Sequence, residues 1–164
     1  MPSAPETVPF SERLWPSVGI WAVTIGFGAA LGLVPAPISA EAGEIVSVVG
    51  VVVLVTLLFV TTPTLTVSNG EFAAGRARIP VSMVSEVRPL LGADAMRQAI
   101  GVDLDARAYL CTRGWLHTGA MVMLKDPEDP TPYWLISSRR PEALALALRS
   151  EIERLSHTEG NQTR

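Results

Sequence analysis

The segment DPEDPTPYWLISSRRPEALALAL, Asp126 to Leu148, gathers acids, aromatics, hydroxyls and two adjacent arginines in one short run. Asp126, Glu128 and Asp129 offer oxygen ligands for a hard cation, but they lack the alternating ligand spacing of an EF-hand, and prolines interrupt them. An acidic solvated turn is the plainer reading. Ser137 or Ser138 with His117 and a nearby aspartate would make a hydrolase triad, yet the chain holds no G-x-S-x-G elbow. Cys111 and His117 match no zinc spacing, and GEFAAGRARI lacks the Lys-Ser/Thr pair of a phosphate-binding loop. No catalytic residue, metal site or cofactor is therefore expected.

The same segment reads well as a join between two elements. Three prolines in DPEDPTP make a stiff loop, YWLI is an aromatic and β-branched strand, and Pro141 suits the first position of a helix. Leu144, Leu148, Ile152 and Leu155 then recur at helical spacing, a stripe that needs a sheet to lie on.

Other basic and aromatic residues suggest binding. Arg76, Arg78, Arg139 and Arg140 could meet anionic head groups, each worth about 1 kcal/mol beside a charged leaflet. The plainer reading pairs Arg139 and Arg140 with the acids of the loop, for little gain in stability. Tyr133 and Trp134 read first as sheet residues and second as a ligand platform. Trp115, in a glycine-flanked loop, is expected to be the more exposed aromatic.

Composition sets the frame for these residues. The chain has 164 residues, of which 48% are hydrophobic and 18% charged, with a formal net charge of −3. Mean hydropathy is +0.32 and the pI is 5.4, so no global basic field exists for nucleic acid. The apolar excess is local, because Glu12, Arg13, Glu41 and Glu44 carry the only charges between Ser11 and Gly70.

Two apolar runs, 18–34 and 45–62, read as antiparallel membrane helices joined by the short PAPISAEAGE. Cleavage after ISA as a signal peptide is disfavoured, since the leading segment has four prolines and no positive n-region. Arg13, Arg76 and Arg78 flank the hairpin while its loop bears only Glu41 and Glu44, so both termini are expected in the cytoplasm. Trp15 and Trp21 suit an interfacial belt, and a lone Cys111 suits a reducing compartment. Gly28 and Gly32, then Ser39, Gly43 and Ser47, form small-xxx-small steps that let helices approach. No ionisable residue lies inside either run, which argues against transport.

After the hairpin, TLTVSNGEF predicts two strands about a tight SNG turn, with a further change of direction at Gly75. GADAMRQAIG, Gly92 to Gly101, predicts a short helix capped by Asp94, and AYLCT and AMVMLKD predict two more strands joined by RGWLHTG. The expected organisation is a segment at 1–17, a transmembrane hairpin at 18–62, an antiparallel β domain closed by a C-terminal helix at 63–155, and a fraying tail at 156–164.

The sets SERLW at 11–15, GEFAAGRARIP at 70–80 and the Asp126–Leu148 segment resemble an actinobacterial family of integral membrane proteins known as domain of unknown function 3093. The arrangement of strands and final helix resembles bacterial pleckstrin-homology-like domains. The resemblance implies a membrane anchor and a cytosolic α+β domain, and it implies no activity. The expected function is a noncatalytic interaction or scaffolding module at the cytoplasmic face. Its partners would be the bilayer, anionic head groups and an unidentified membrane or cytosolic protein. The alternative is a membrane-bound hydrolase or lipid-modifying enzyme using the loop at 126–140.

Overall fold

A computed structural model describes residues 10–125 and 130–162 of the chain. These form an α+β fold that divides into two compact units. One comprises the chain up to Leu14 together with everything from Pro63 onward; the other is Trp15–Thr62.

The larger unit opens with a strand that the 1–17 segment was not expected to contain. Strand β1, Phe10–Arg13, pairs antiparallel with β2, Thr64–Ser68, so that Phe10 faces Val67 and Arg13 faces Thr64. Two hairpins continue the sheet through β3, Glu71–Ala74, and β4, Ala77–Pro80, in the order β1-β2-β3-β4. The SNG turn forms as expected. Asn69 and Gly70 take φ of 53° and 76°, the left-handed pair that a two-residue type I′ turn demands. Alternation then sorts the side chains. Phe10, Leu65, Val67, Phe72, Ala74 and Ile79 are buried, whereas the row Ser11, Thr66, Ala73 and Arg78 lies on the opposite face.

The second sheet is mixed rather than purely antiparallel. Its strands are β5 (Val84–Leu90), β6 (Tyr109–Cys111), β7 (Gly119–Leu124) and β8 (Tyr133–Ser137), in the order β5-β7-β8-β6. Strands β6 and β7 follow one another in the chain, but β8 lies between them in the sheet and pairs parallel with β6, where an antiparallel sheet was expected. The sequence of β8 explains this. All five of its residues are buried, as suits an inner strand covered on both faces. Trp134 and Ile136 enter the main core, while Tyr133 and Leu135 enter a second cluster with Ala99, Leu90, Met121 and Met123.

Helix α3, Gly92–Ile100, supplies Ala99 to that second cluster. Asp94 lies inside its first turn instead of capping it, and forms an ion pair with Arg97. The last helix of the chain, Pro141–Gln162, packs Leu144, Ala145, Ala147 and Leu148 onto the main core with Ile152 and Leu155 beside them. It runs beyond Leu155, where the tail was expected to begin. Each fully buried leucine of this stripe contributes about 1.5–3 kcal/mol.

The smaller unit is a helical hairpin. Its first helix is α1, Val18–Ala30, extended by a 3₁₀ turn at Leu31–Leu33; its second is α2, Ala40–Val60. The final helix of the larger unit is therefore α4. Helix α2 starts earlier than the apolar run at Ile45, because Ser39 accepts the Ala42 N–H at 3.3 Å and Glu41 lies in the favourable first turn. Among the described residues α2 is the one helix long and apolar enough to cross a membrane; Val18–Leu33 is apolar but shorter.

Candidate functional site

Within the larger unit, two distant motifs converge on one buried carboxylate. Glu12 stands in β1 between Phe10 and Leu14, at a position that alternation turns inward, and it is 7% exposed. Its Oε2 accepts the Ser138 hydroxyl at 2.6 Å and its Oε1 accepts the Arg139 N–H at 2.8 Å. Ser138 Oγ also accepts from the Arg140 N–H at 3.0 Å, and Thr118 Oγ1 donates to the Ser138 carbonyl at 2.6 Å. Helix α4 begins here, with the Leu144 N–H donating to the Arg140 carbonyl. A carboxylate at the start of a helix also meets the positive end of its dipole. Arg140 completes the join: its guanidinium donates to the Ser11 carbonyl at 3.0 Å and lies 5.1 Å from the Phe10 ring centroid.

A second buried acid performs the same task further along. Glu151 Oε1 accepts the Gly70 N–H at 2.5 Å and the Arg154 guanidinium at 2.6 Å, which fixes the SNG turn to α4. Arg154 holds this carboxyl below the usual carboxylate range against the opposing effect of burial. Burial pushes the Cys111 thiol and the Tyr109 hydroxyl up. Arg107 holds the Asp105 carboxyl down at about 2.

The other candidate binding residues do not gather at the Glu12 join. Arg78 is exposed and sits 3.7 Å from Glu71, an ion pair worth little in solvent. Its register runs through Ala73 and Thr66 to Ser11, three strand spacings or about 14 Å away. Arg76 is exposed at the β3–β4 turn. Tyr133 and Trp134 are each 6% exposed. Tyr133 OH accepts the Asp105 N–H and donates to the Asp103 carbonyl, and Trp134 packs against Phe72 and Tyr109, so both are core residues in place of a surface platform. Trp115, expected in the open, is half-buried against the main core with Arg113 over its ring. Asp126, Glu128 and Asp129, the expected partners of Arg139 and Arg140, lie outside the described residues.

Nor do the hydroxyls form a triad. Ser138 is held by Glu12, Ser137 Oγ accepts the Arg113 N–H, and among the described residues no hydrogen bond joins His117 to either serine. No group of three or more His, Cys, Asp or Glu that could hold a metal occurs among the described residues.

Inside the hairpin the small residues lie where the helices touch. A Cβ added to Gly28 would come 2.7 Å from Val51 Cα, and one on Gly43 would come 3.0 Å from the Gly32 carbonyl oxygen. Ser47 Oγ donates to the Ala29 carbonyl at 2.8 Å. Gly50, opposite Gly28, belongs to the same contact and was not singled out from the sequence.

The family model described as protein of unknown function, DUF3093, matches residues 9–148, most of the chain. The chain belongs to DUF3093. The DUF3093 match takes in β1, the hairpin and α4 as far as Leu148, so the Glu12–Ser138 join lies inside it. No curated protein and no solved structure matches the chain.

Glu12, Ser138, Thr118 and Glu151 were not recognised as partners in sequence. One signal for Glu12 was present: an acid at the inward position of Phe-Ser-Glu-Arg-Leu must find buried donors.

Proposed function

We propose that the chain is a membrane-anchored, noncatalytic interaction module whose β domain, pleckstrin-homology-like in its two sheets and closing helix, works at the cytoplasmic face. The observation that carries this reading is the pairing of β1 with β2. The polypeptide leaves the domain after β1 and returns at β2, and the Leu14 N–H donates to the Pro63 carbonyl at 3.0 Å. Both feet of the apolar unit are thus built into one sheet, which requires an even number of crossings. If α2 spans, Val18–Leu33 must span as well.

Dimensions support a two-span anchor. Helix α2 has 21 residues, about 32 Å at 1.5 Å per residue, and the 16 residues of Val18–Leu33 give about 24 Å. Side chains such as Val23 at 72% and Phe27 at 60% exposure would make an unusually large apolar patch in water. Arg13, Arg76 and Arg78 flank the apolar unit in sequence, against Glu41 and Glu44 at the start of α2, which supports cytoplasmic termini. Arg76 and Arg78 are exposed basic groups that suit anionic head groups or an acidic protein partner. For the hydrolase alternative, Ser138 already donates its hydroxyl to Glu12, and Ser137 Oγ accepts the Arg113 N–H.

Single cysteines at Ser39 and Ser156, with buried Cys111 left in place, test the anchor. A membrane-impermeant maleimide should label Ser39→Cys on intact cells and Ser156→Cys only after permeabilisation. Labelling of both positions on intact cells, or of neither until permeabilisation, would sink the two-span reading. A photo-crosslinker at Arg78 should then capture a reproducible protein or anionic-lipid adduct, whereas turnover of ester or lipid substrates by the purified chain would favour the enzyme.

A further inference from the structure

In the larger unit, a cleft of about 280 Å³ opens between α3 and the segment that joins β6 to β7. Met96 and Leu116, 3% and 8% exposed, line it together with the more open Ile100, giving an apolar floor. Three nitrogen-bearing side chains, Arg97, Arg113 and His117, also line it, and no acidic side chain among the described residues does. Arg113 is steadied by a bond from its guanidinium to the Thr112 carbonyl at 2.9 Å and by the Trp115 ring 5.9 Å away. Arg97 leans on its own helix, with Nε donating to the Ala93 carbonyl at 3.3 Å. Its partner Asp94 is 96% exposed, so that ion pair is weak and can yield to a ligand.

We propose that this cleft binds a small organic anion: a phosphate or carboxylate group carried on a short alkyl or aryl body. The volume falls just below the usual range of about 300–1,000 Å³ for ligand sites, which admits a compact molecule and excludes a full acyl chain. Guanidinium groups present paired N–H donors that match phosphate and carboxylate oxygens, and the methionine and leucine floor gains from covering an apolar body. Neither half suffices alone. Inorganic phosphate forgoes the floor, and a neutral alcohol forgoes the arginines. The site is independent of the membrane reading, since every residue in it belongs to the β domain.

The test uses the full chain in phosphatidylcholine nanodiscs with ¹³C-methyl-labelled methionine, following the Met96 methyl resonance. Phenyl phosphate should shift it saturably, with phenol and inorganic phosphate each at least about tenfold weaker. Gly114→Leu adds bulk to a residue that lines the cleft, at a position where an added Cβ meets nothing within 4 Å, so it should abolish the shift without altering the melting temperature. Arg113→Gln should weaken binding about tenfold. Equal shifts from phenol and phenyl phosphate, or an unchanged titration in Gly114→Leu, would overturn the proposal. A Met96 shift produced by phosphatidylglycerol discs alone would assign the anion to a lipid head group and overturn the soluble ligand.

Discussion

Glu12 and Ser138, 126 positions apart, share a hydrogen bond of 2.6 Å inside the β domain. The bond ties the strand before the apolar unit to the residue that introduces the last helix, and it buries a carboxylate to do so. Removing that carboxylate leaves the Ser138 hydroxyl and the Arg139 N–H without their acceptor. Glu12→Ala should therefore cost at least about 2 kcal/mol. A double-mutant cycle with Ser138→Ala, read from thermal unfolding in detergent, should return a coupling energy above about 0.5 kcal/mol, and additivity would show that the two residues act separately.

Gly28 faces the backbone of Val51 with no room for a side chain. Gly28→Leu should wedge the two helices apart at a cost of about 1–3 kcal/mol, while Gly26→Leu, whose Cβ meets nothing within 4 Å, should be near neutral. Trypsin resistance of the hairpin in micelles distinguishes the two variants.

Acid should loosen the β domain in a defined window. The Asp105 carboxyl is held at about 2 by Arg107, and Glu151 is held below its ordinary value by Arg154. Both groups have folded pKa values below their unfolded ones, so the unfolded chain takes up protons first as pH falls. Their stabilising effect is present above about pH 4 and is lost as pH drops toward 2. Melting temperature followed from pH 6 to pH 2 should fall in that range, and Asp105→Asn combined with Glu151→Gln should flatten the fall.

Cys111 should resist modification. It is 5% exposed and burial raises its pKa, so little reactive thiolate exists in the folded chain. Iodoacetamide at pH 8 should label it only after denaturation, whereas an introduced Ser156→Cys labels at once. Rapid labelling of Cys111 in the folded protein would contradict the packing of β6 against β8.

The legibility of this sequence followed the range of the interactions. The SNG turn, the leucine stripe of α4 and the apolar helices depend on local periodicity and turn chemistry, and they were readable. The place of β1 was not, because four residues beside a membrane-like run carry too little alternation to announce a partner strand. Strand order was not legible, for a related reason. YLC and GAMVML look like hairpin neighbours until β8, apolar on both faces, claims the position between them. Charge marks exposure but not purpose. Arg140 serves as a brace on Phe10 and Ser11, while Glu151, which fixes the SNG turn to α4, carries no local mark of that role.

The β1–β2 pairing also sets an order of events during synthesis. Phe10–Arg13 leaves the ribosome before the hairpin, and its partner Thr64–Ser68 leaves after it. The edge of the first sheet therefore stays open until the whole apolar unit has been made and has turned back. Glu12 then still waits for Ser138, a further 70 residues beyond Ser68. A chain whose hairpin fails to return leaves Phe10–Arg13 without Thr64–Ser68 and Glu12 without Ser138, so closure of the first sheet reports that the hairpin has folded back.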